Sequence, residues 1–189
     1  MSDYTAIRAV SLTLQELLAT TINTVGVDIV LKSPKEMNTD NETGISVWLY
    51  RVTRNEHTLN RPPERISALQ TRRQPIPINL HYLLTPIRKD PLDEQELLGR
   101  VLQVFLDHTV LSGGLLKGTL VDSGEELRVF LETLTLEELT RIWGALQEPY
   151  QTSLSYLVQL INIDSEKPPL STALVTSHTQ TYSQILSSS

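Results

Sequence analysis

With 189 residues, 40% of them hydrophobic, and a net charge of −6, the chain is long enough to bury roughly 70% of its unfolded surface without a disulfide or metal staple. The acidic balance argues against non-specific nucleic-acid binding, and the lack of any cysteine excludes a disulfide framework, thiol chemistry and zinc-finger spacing. The start, MSDYTAIRAVSLTLQELL, is not a secretory signal: Asp3 comes early and the apolar residues are periodic. No apolar run approaches the ~18 residues that span a bilayer. The sequence therefore predicts cytoplasmic synthesis and folding, without direct membrane insertion.

Residues 4–20 read as an amphipathic helix with Ile7, Val10, Leu14, Leu17 and Leu18 on one stripe. VDIVL (27–31) is a short strand. SPKEMNTDNETG (33–44) reads as a polar loop full of turn formers. ISVWLYRV (45–52) is β-branched and aromatic, and reads as a strand buried on both faces. A connection of about 20 residues follows over 54–74, longer than compact domains normally use and marked by NRPPER; such segments are usually functional loops or ordered arms.

Residues 76–85 alternate with period two. Ile78, Leu80, Tyr82 and Leu84 point one way, and Asn79, His81, Leu83 and Thr85 the other. Pro77 restricts this strand to an edge or to a start, and Pro86 closes it. A second helix begins with Asp90 as cap, Pro91 at the first position and Asp93, Glu94 and Glu96 near the positive end of the helix dipole. Its predicted buried face is Leu97, Leu98, Val101, Leu102, Phe105 and Leu106, and it ends near His108. SGGLLKG (112–118) is a turn-rich connection.

ELRVFLETL (126–134) reads as a strand. TLEE (135–138) is a capping box opening a third helix with Leu139, Ile142, Trp143 and Leu146 inside, stopped by Pro149. In SLSYLVQLINI (153–163), Leu154, Tyr156, Val158 and Leu160 are expected on one side, and Leu157, Ile161 and Ile163 on the other. From 166 to 189 the composition turns Ser/Thr/Pro-rich, with a β-prone centre at Leu174 and Val175. The expectation is an α+β domain over 1–165 and a tail or arm over 166–189. The domain carries a mixed, mostly antiparallel sheet of about four to six strands with two to three helices packed on it.

The search for chemistry returns no catalytic, cofactor or metal residues. His57, His81, His108 and His178 are scattered, without the spacing that puts two ligands on one helix face. His81 on its strand face reads more simply as a residue satisfying its own hydrogen bonds. Gly113 and Gly118 have phosphate-loop spacing, but Thr119 stands where a lysine is needed, and the segment follows a helix rather than a strand. The acidic pairs lie at or just before helix starts, where capping and dipole account for them. Ser153 and Ser155 lack a nucleophile elbow.

Charge is uneven. Residues 51–73 hold six arginines against Glu56 and Glu64, a net of +4, which leaves −10 on the rest. Arg54, Arg61, Arg65, Arg72 and Arg73 are thus candidate partner-binding residues, for a second copy or for an acidic partner; local pairing within a solvated loop is the competing reading.

The ordered blocks ISVWLYRVTRNEHTLN, then PIPINLHYLLTPIRKD at the end of an arginine-rich loop, then EQELLGRVLQVF, then TLEELTRIWGALQEPYQTSLSYLVQLINID carry a further signal. Over residues 4–165 this series resembles the N-terminal domain shared by cap, or tail-terminator, proteins of phage-tail-like contractile injection systems. The resemblance implies a tail-terminator-like sheet with helices on it. It also implies a structural role as a homohexameric ring that ends the tube and sheath and ties the last sheath ring to the tube. The implied partners are self, sheath protein and inner-tube protein, with no cofactor and no catalytic residue to carry over. Longer relatives continue past the matching domain, whereas here about 25 residues follow it. Two other readings stay open on the residues: an accessory, chaperone-like binding domain that leaves the mature particle, and a small hydrolase using His81.

Overall fold

Periodicity and caps resolve into four helices and nine strands in the computed structural model, among its described residues 4–22, 26–56, 64–67, 69–121 and 123–171. In chain order they are α1 (Ala6–Ile22), β1 (Asp28–Val30), α2 (Pro34–Asp40), β2 (Gly44–Arg54), β3 (Arg65–Ser67), β4 (Gln70–Thr71), β5 (Ile76–Ile87), α3 (Pro91–Asp107), β6 (Val110–Ser112), β7 (Glu126–Glu132), α4 (Leu136–Leu146), β8 (Leu154–Ile163) and β9 (Leu170–Ser171). Six strands form one sheet in the order β1-β2-β5-β8-β7-β6, with β1 parallel to β2 and every other pairing antiparallel. A separate small sheet runs β3-β4-β9. The fold class is the expected α+β with a mixed, mostly antiparallel sheet.

β5 lies inside the sheet, which sharpens the reading of its prolines. The carbonyl of Pro77 accepts from the Asn55 amide at 2.9 Å, just past the last β2 residue, Arg54. The missing Pro77 N–H therefore faces a position where the β2 ladder has already ended. By strand alternation Pro86 faces β8, whose ladder stops at the Leu84↔Leu154 pair. Both prolines sit in an interior strand without removing a ladder bond.

The two faces of β5 enter two cores. Ile78, Leu80, Tyr82 and Leu84 join Ile45 and Val47 of β2, Leu127 and Val129 of β7, and the apolar stripes of α1 and α3. On the opposite face, Leu83 is fully buried against Trp143 and Leu146 of α4, with Trp48, Tyr50, Leu139 and Ile142 around them. Each fully buried leucine of this kind stabilises by about 1.5–3 kcal/mol.

Three expectations need correction. The polar stretch 33–44 contains a helix, α2: Ser33 and Glu36 form a reciprocal capping box, Pro34 occupies the first turn, and Asn41 ends it in the left-handed region. With only Pro34 and Met37 buried, it has too little apolar periodicity to show. In α3, Leu102 and Leu106 are exposed and Val104 is buried instead; at 100° per residue the two leucines lie round the helix from the core stripe. In β8, Ile161 and Ile163 join the main core together with Leu154, Tyr156 and Val158. A bulge causes this: Leu80 pairs with Val158 but Ile78 with Ile161, so one extra β8 residue reverses the alternation.

The turns after α3 also feed the core. Leu116 and Leu120 are buried, and Thr13 of α1 accepts from the Lys117 amide at 3.0 Å. Gly118, at φ +59, lets this connection approach Ala9; an added Cβ would lie 3.2 Å from the Ala9 Cβ. No described helix is long and apolar enough to cross a membrane.

Gly44, at φ +143, brings β2 against β1, and a Cβ there would collide with the Asp28 carbonyl oxygen. Gly44→Ala should cost on the order of 2–4 kcal/mol in urea unfolding, by prising apart the parallel β1–β2 pair. Burial pushes the hydroxyl of Tyr82 up to about 12, against the opposing bond from Ser11, and burial raises Tyr156 to about 12 as well. Folded-state values above the unfolded ~10 stabilise fully below pH ~10, and that stabilisation is lost as pH rises through about 12. Tyrosinate absorbance and denaturant midpoints, followed together, should show the fold weakening across that window.

Candidate partner-binding surface

The long β2–β5 connection is in part an arm. β3 and β4 pair as a short antiparallel ladder, and β9 adds to β4 through Gln70↔Ser171 and Thr71↔Leu170. The first residues after the expected boundary at 165 thus return to the arginine-bearing segment. Arg72 donates to Glu64 Oε2 at 2.9 Å, and its amide donates to the Glu64 carbonyl at 2.8 Å. Arg73 Nε donates to the Pro168 carbonyl at 3.1 Å. These two arginines tie the arm to itself and to the C-terminal strand. Arg54 and Arg65 are exposed and make no ion pair among the described residues. Arg61, His57, His178, Leu174 and Val175 lie outside the described residues. A cleft of about 540 Å³ separates the arm from the ends of β5 and β8, lined by Arg72, Arg73, Ile76, Ile163, Asp164 and Leu170 among others.

His81, on the second face of β5, has both ring nitrogens engaged, in keeping with a strand-face residue that satisfies its own hydrogen bonds. Its Nδ1 lies 2.9 and 3.0 Å from the two carboxylate oxygens of Glu132, and its Nε2 lies 2.9 Å from Thr53 Oγ1. Glu132 Oε2 also accepts from Ser155 Oγ at 2.8 Å, and the Tyr50 hydroxyl lies 2.9 Å from the same serine oxygen. Burial raises the Tyr50 hydroxyl above its ordinary value, while the Ser155 bond opposes the shift. Hydroxyl, imidazole and carboxylate stand in the order of an acyl-transfer triad. Here, however, they run sideways through paired strands, and the carboxylate is shared with Ser155. The 540 Å³ cleft adjoins the arm instead. The arrangement satisfies buried polar groups across β2, β5, β8 and β7, and so ties four strands together. Glu132 escaped notice in the sequence because its partners are 23, 51 and 82 residues away.

α4 covers only part of this second face. Cross-strand register sets Phe130, Leu157, His81 and Arg51 in one row over β7, β8, β5 and β2. Phe130 remains 45% exposed, and Arg51 and Arg128 are exposed beside it.

The profile of the family described as the Pvc16 N-terminal domain matches residues 9–177. No curated protein matches the chain. Among solved structures, the chain is similar to the PVC sheath/tube terminator in its extended state, from an extracellular contractile injection system. That likeness has a TM-score of 0.67 at 16% identity, over 100% of this chain and 67% of the other. It is also similar to the anti-feeding prophage cap, the AFP tube terminating cap. There the TM-score is 0.63 at 16% identity, over 92% of this chain and 60% of the other. At such identities the likeness is one of fold.

The two kinds of polar contact should separate experimentally. Glu132→Ala strands His81, Ser155 and Tyr50 in a largely buried setting and should cost about 2–3 kcal/mol. Arg72→Ala removes a pair whose side chains are 46% and 66% exposed and should cost under ~1 kcal/mol. Equal losses in urea melts would contradict the assignment of Glu132 as the tie.

Proposed function

The chain belongs to the Pvc16 N-terminal domain family, and from that premise we propose that it is a structural cap that terminates the tube and sheath of a contractile injection particle. The observation that carries this reading is the likeness in fold to a sheath/tube terminator, which extends over 100% of this chain and 67% of the other. A cap needs surfaces for neighbours rather than a reaction centre. The arm, the open part of the second sheet face and the exposed arginines supply such surfaces.

In this reading the protein is not an enzyme and takes no cofactor. Copies form a homohexameric ring that joins the last sheath and tube layers, with sheath and inner-tube proteins as partners. Residues 1–165 are the cap domain, and 166–189 act as an arm whose start is paired to β4. Arg54, Arg61 and Arg65 are offered to a partner, while Arg72 and Arg73 hold the arm in shape. Synthesis and assembly take place in the cytoplasm, before any release of the particle.

Particles purified from a strain lacking the gene should show tubes and sheaths of irregular length, and wild-type particles should carry the protein at a few copies each by quantitative mass spectrometry. Its absence from intact particles would point instead to an accessory assembly factor. Arg54→Glu with Arg65→Glu should leave the fold intact and reduce incorporation into particles at least severalfold. Full incorporation of this double variant would remove the arginines from the partner surface.

A further inference from the structure

Very little holds the C-terminal strand to its own chain. β9 meets β4 at two register pairs, Gln70↔Ser171 and Thr71↔Leu170, and both β9 residues are exposed. The docked strand buries no apolar side chain fully: Leu170, Ile66, Leu69 and Ile76 all stay about half exposed. The 540 Å³ cleft lined by Leu170, Ile76 and Ile163 remains open beside it. A short ladder of exposed hydrogen bonds without apolar burial opens readily. The ladder also runs out where the described chain does. Ser171 pairs with Gln70, the first residue of β4, so β4 offers nothing further to pair with.

The receiving edge, by contrast, is well built. β3 fixes the far side of β4, and Arg72 bonds Glu64 through both its amide and its guanidinium. Arg73 Nε reaches the Pro168 carbonyl at 3.1 Å. This edge accepts residues 168–171 whichever copy supplies them. The connection from β8 to β9, residues 164–169, reads DSEKPP, and all of it from Ser165 onward is exposed. Pro168 and Pro169 fix φ, and the residue before each proline is kept extended, so this connection is stiff and resists a tight return. Fully extended it reaches about 20 Å.

We propose that in the assembled ring β9 leaves its own β4 and pairs with β4 of a neighbouring copy. The edge already fits this strand, so the partner is a second copy of the same chain. Exchange costs little, because every contact made at home is remade on the neighbour. Each copy gives one strand and receives one, a heterologous contact that closes into a ring when its rotation permits. The inference rests on the terminator reading for the ring, and it names the strand that locks neighbours together.

The chain has no cysteine, so a pair introduced across the ladder reports on this contact alone. Gln70→Cys combined with Ser171→Cys places two thiols at directly opposed, exposed positions. Such positions lie about 5 Å apart at Cβ, close enough to link on mild oxidation. Unchanged circular dichroism and melting midpoints under reducing conditions confirm a folded variant. Particles carrying the double variant, oxidised and run on a non-reducing gel, should give a covalent ladder that extends beyond dimers, because each chain is bonded to two neighbours. Either substitution alone can give no more than dimers. Mass spectrometry of the linked peptides should join positions 70 and 171. A double variant that runs as a monomer with the same two positions linked overturns the exchange. Absence of any link overturns it too, since the β4–β9 pairing is then missing from the assembly. The two ideas fail separately. Internally linked protein present on particles sinks the exchange alone. Protein missing from particles sinks the terminator role, and oxidation of the purified chain then decides the exchange: links between chains keep it, and links within chains end it.

Discussion

Everything in this molecule follows from a central strand that must be covered on both faces. β5 is hydrogen-bonded on one side to β2 and on the other to β8, and both of its side-chain rows are buried. An interior strand with two apolar rows requires a layer above and a layer below. α1 and α3 provide the first layer through a large aliphatic core that includes Tyr82 and Tyr156. α4 provides the second, but it is one short helix and shelters only the part around Leu83.

The His81 network is the consequence. Where α4 stops, the second face of β5 continues with His81 and Asn79, and bare apolar residues there would face water. The chain places polar groups instead and satisfies them laterally: Thr53 and Glu132 hold His81, and Asn55 donates to Asn79 at 3.1 Å. Hydrogen bonds across strands replace the missing helix as the means of holding the face together. What resembles a catalytic constellation is thus explained by incomplete cover.

Incomplete cover is also what makes the domain suited to assembly. The basic segment has divided duties. Arg72 and Arg73 fasten the arm to Glu64 and to the chain near β9, and Arg54 and Arg65 stay exposed. Arg72 and Arg73 thus bond locally, whereas Arg54 and Arg65 form no ion pair among the described residues. A hydrolase reading gains little from the imidazole, since both ring nitrogens already serve the strand network.

The sequence by itself determined the elements with strong local codes. The caps at Asp90 and Thr135, the two-row alternation of β5 and the apolar stripe of α1 all depend on neighbours within a few positions, so they can be read along the chain; of the strand expected to be buried on both faces over 45–52, the end at Arg51 and Val52 is exposed instead. The order of those blocks also carried the family resemblance. Tertiary structure alone decided the rest. The bulge in β8 reversed the sides of Ile161 and Ile163, because register is set by the partner strand and not by the strand's own alternation. The exposure of Leu102 and Leu106 was decided by where the sheet lies against α3. The union of His81 with Glu132, and of β4 with β9, joins residues that are remote in sequence. Local physics writes caps and periods into a sequence; which surfaces meet, and which stay open for a neighbour, is settled only when the strands choose their partners.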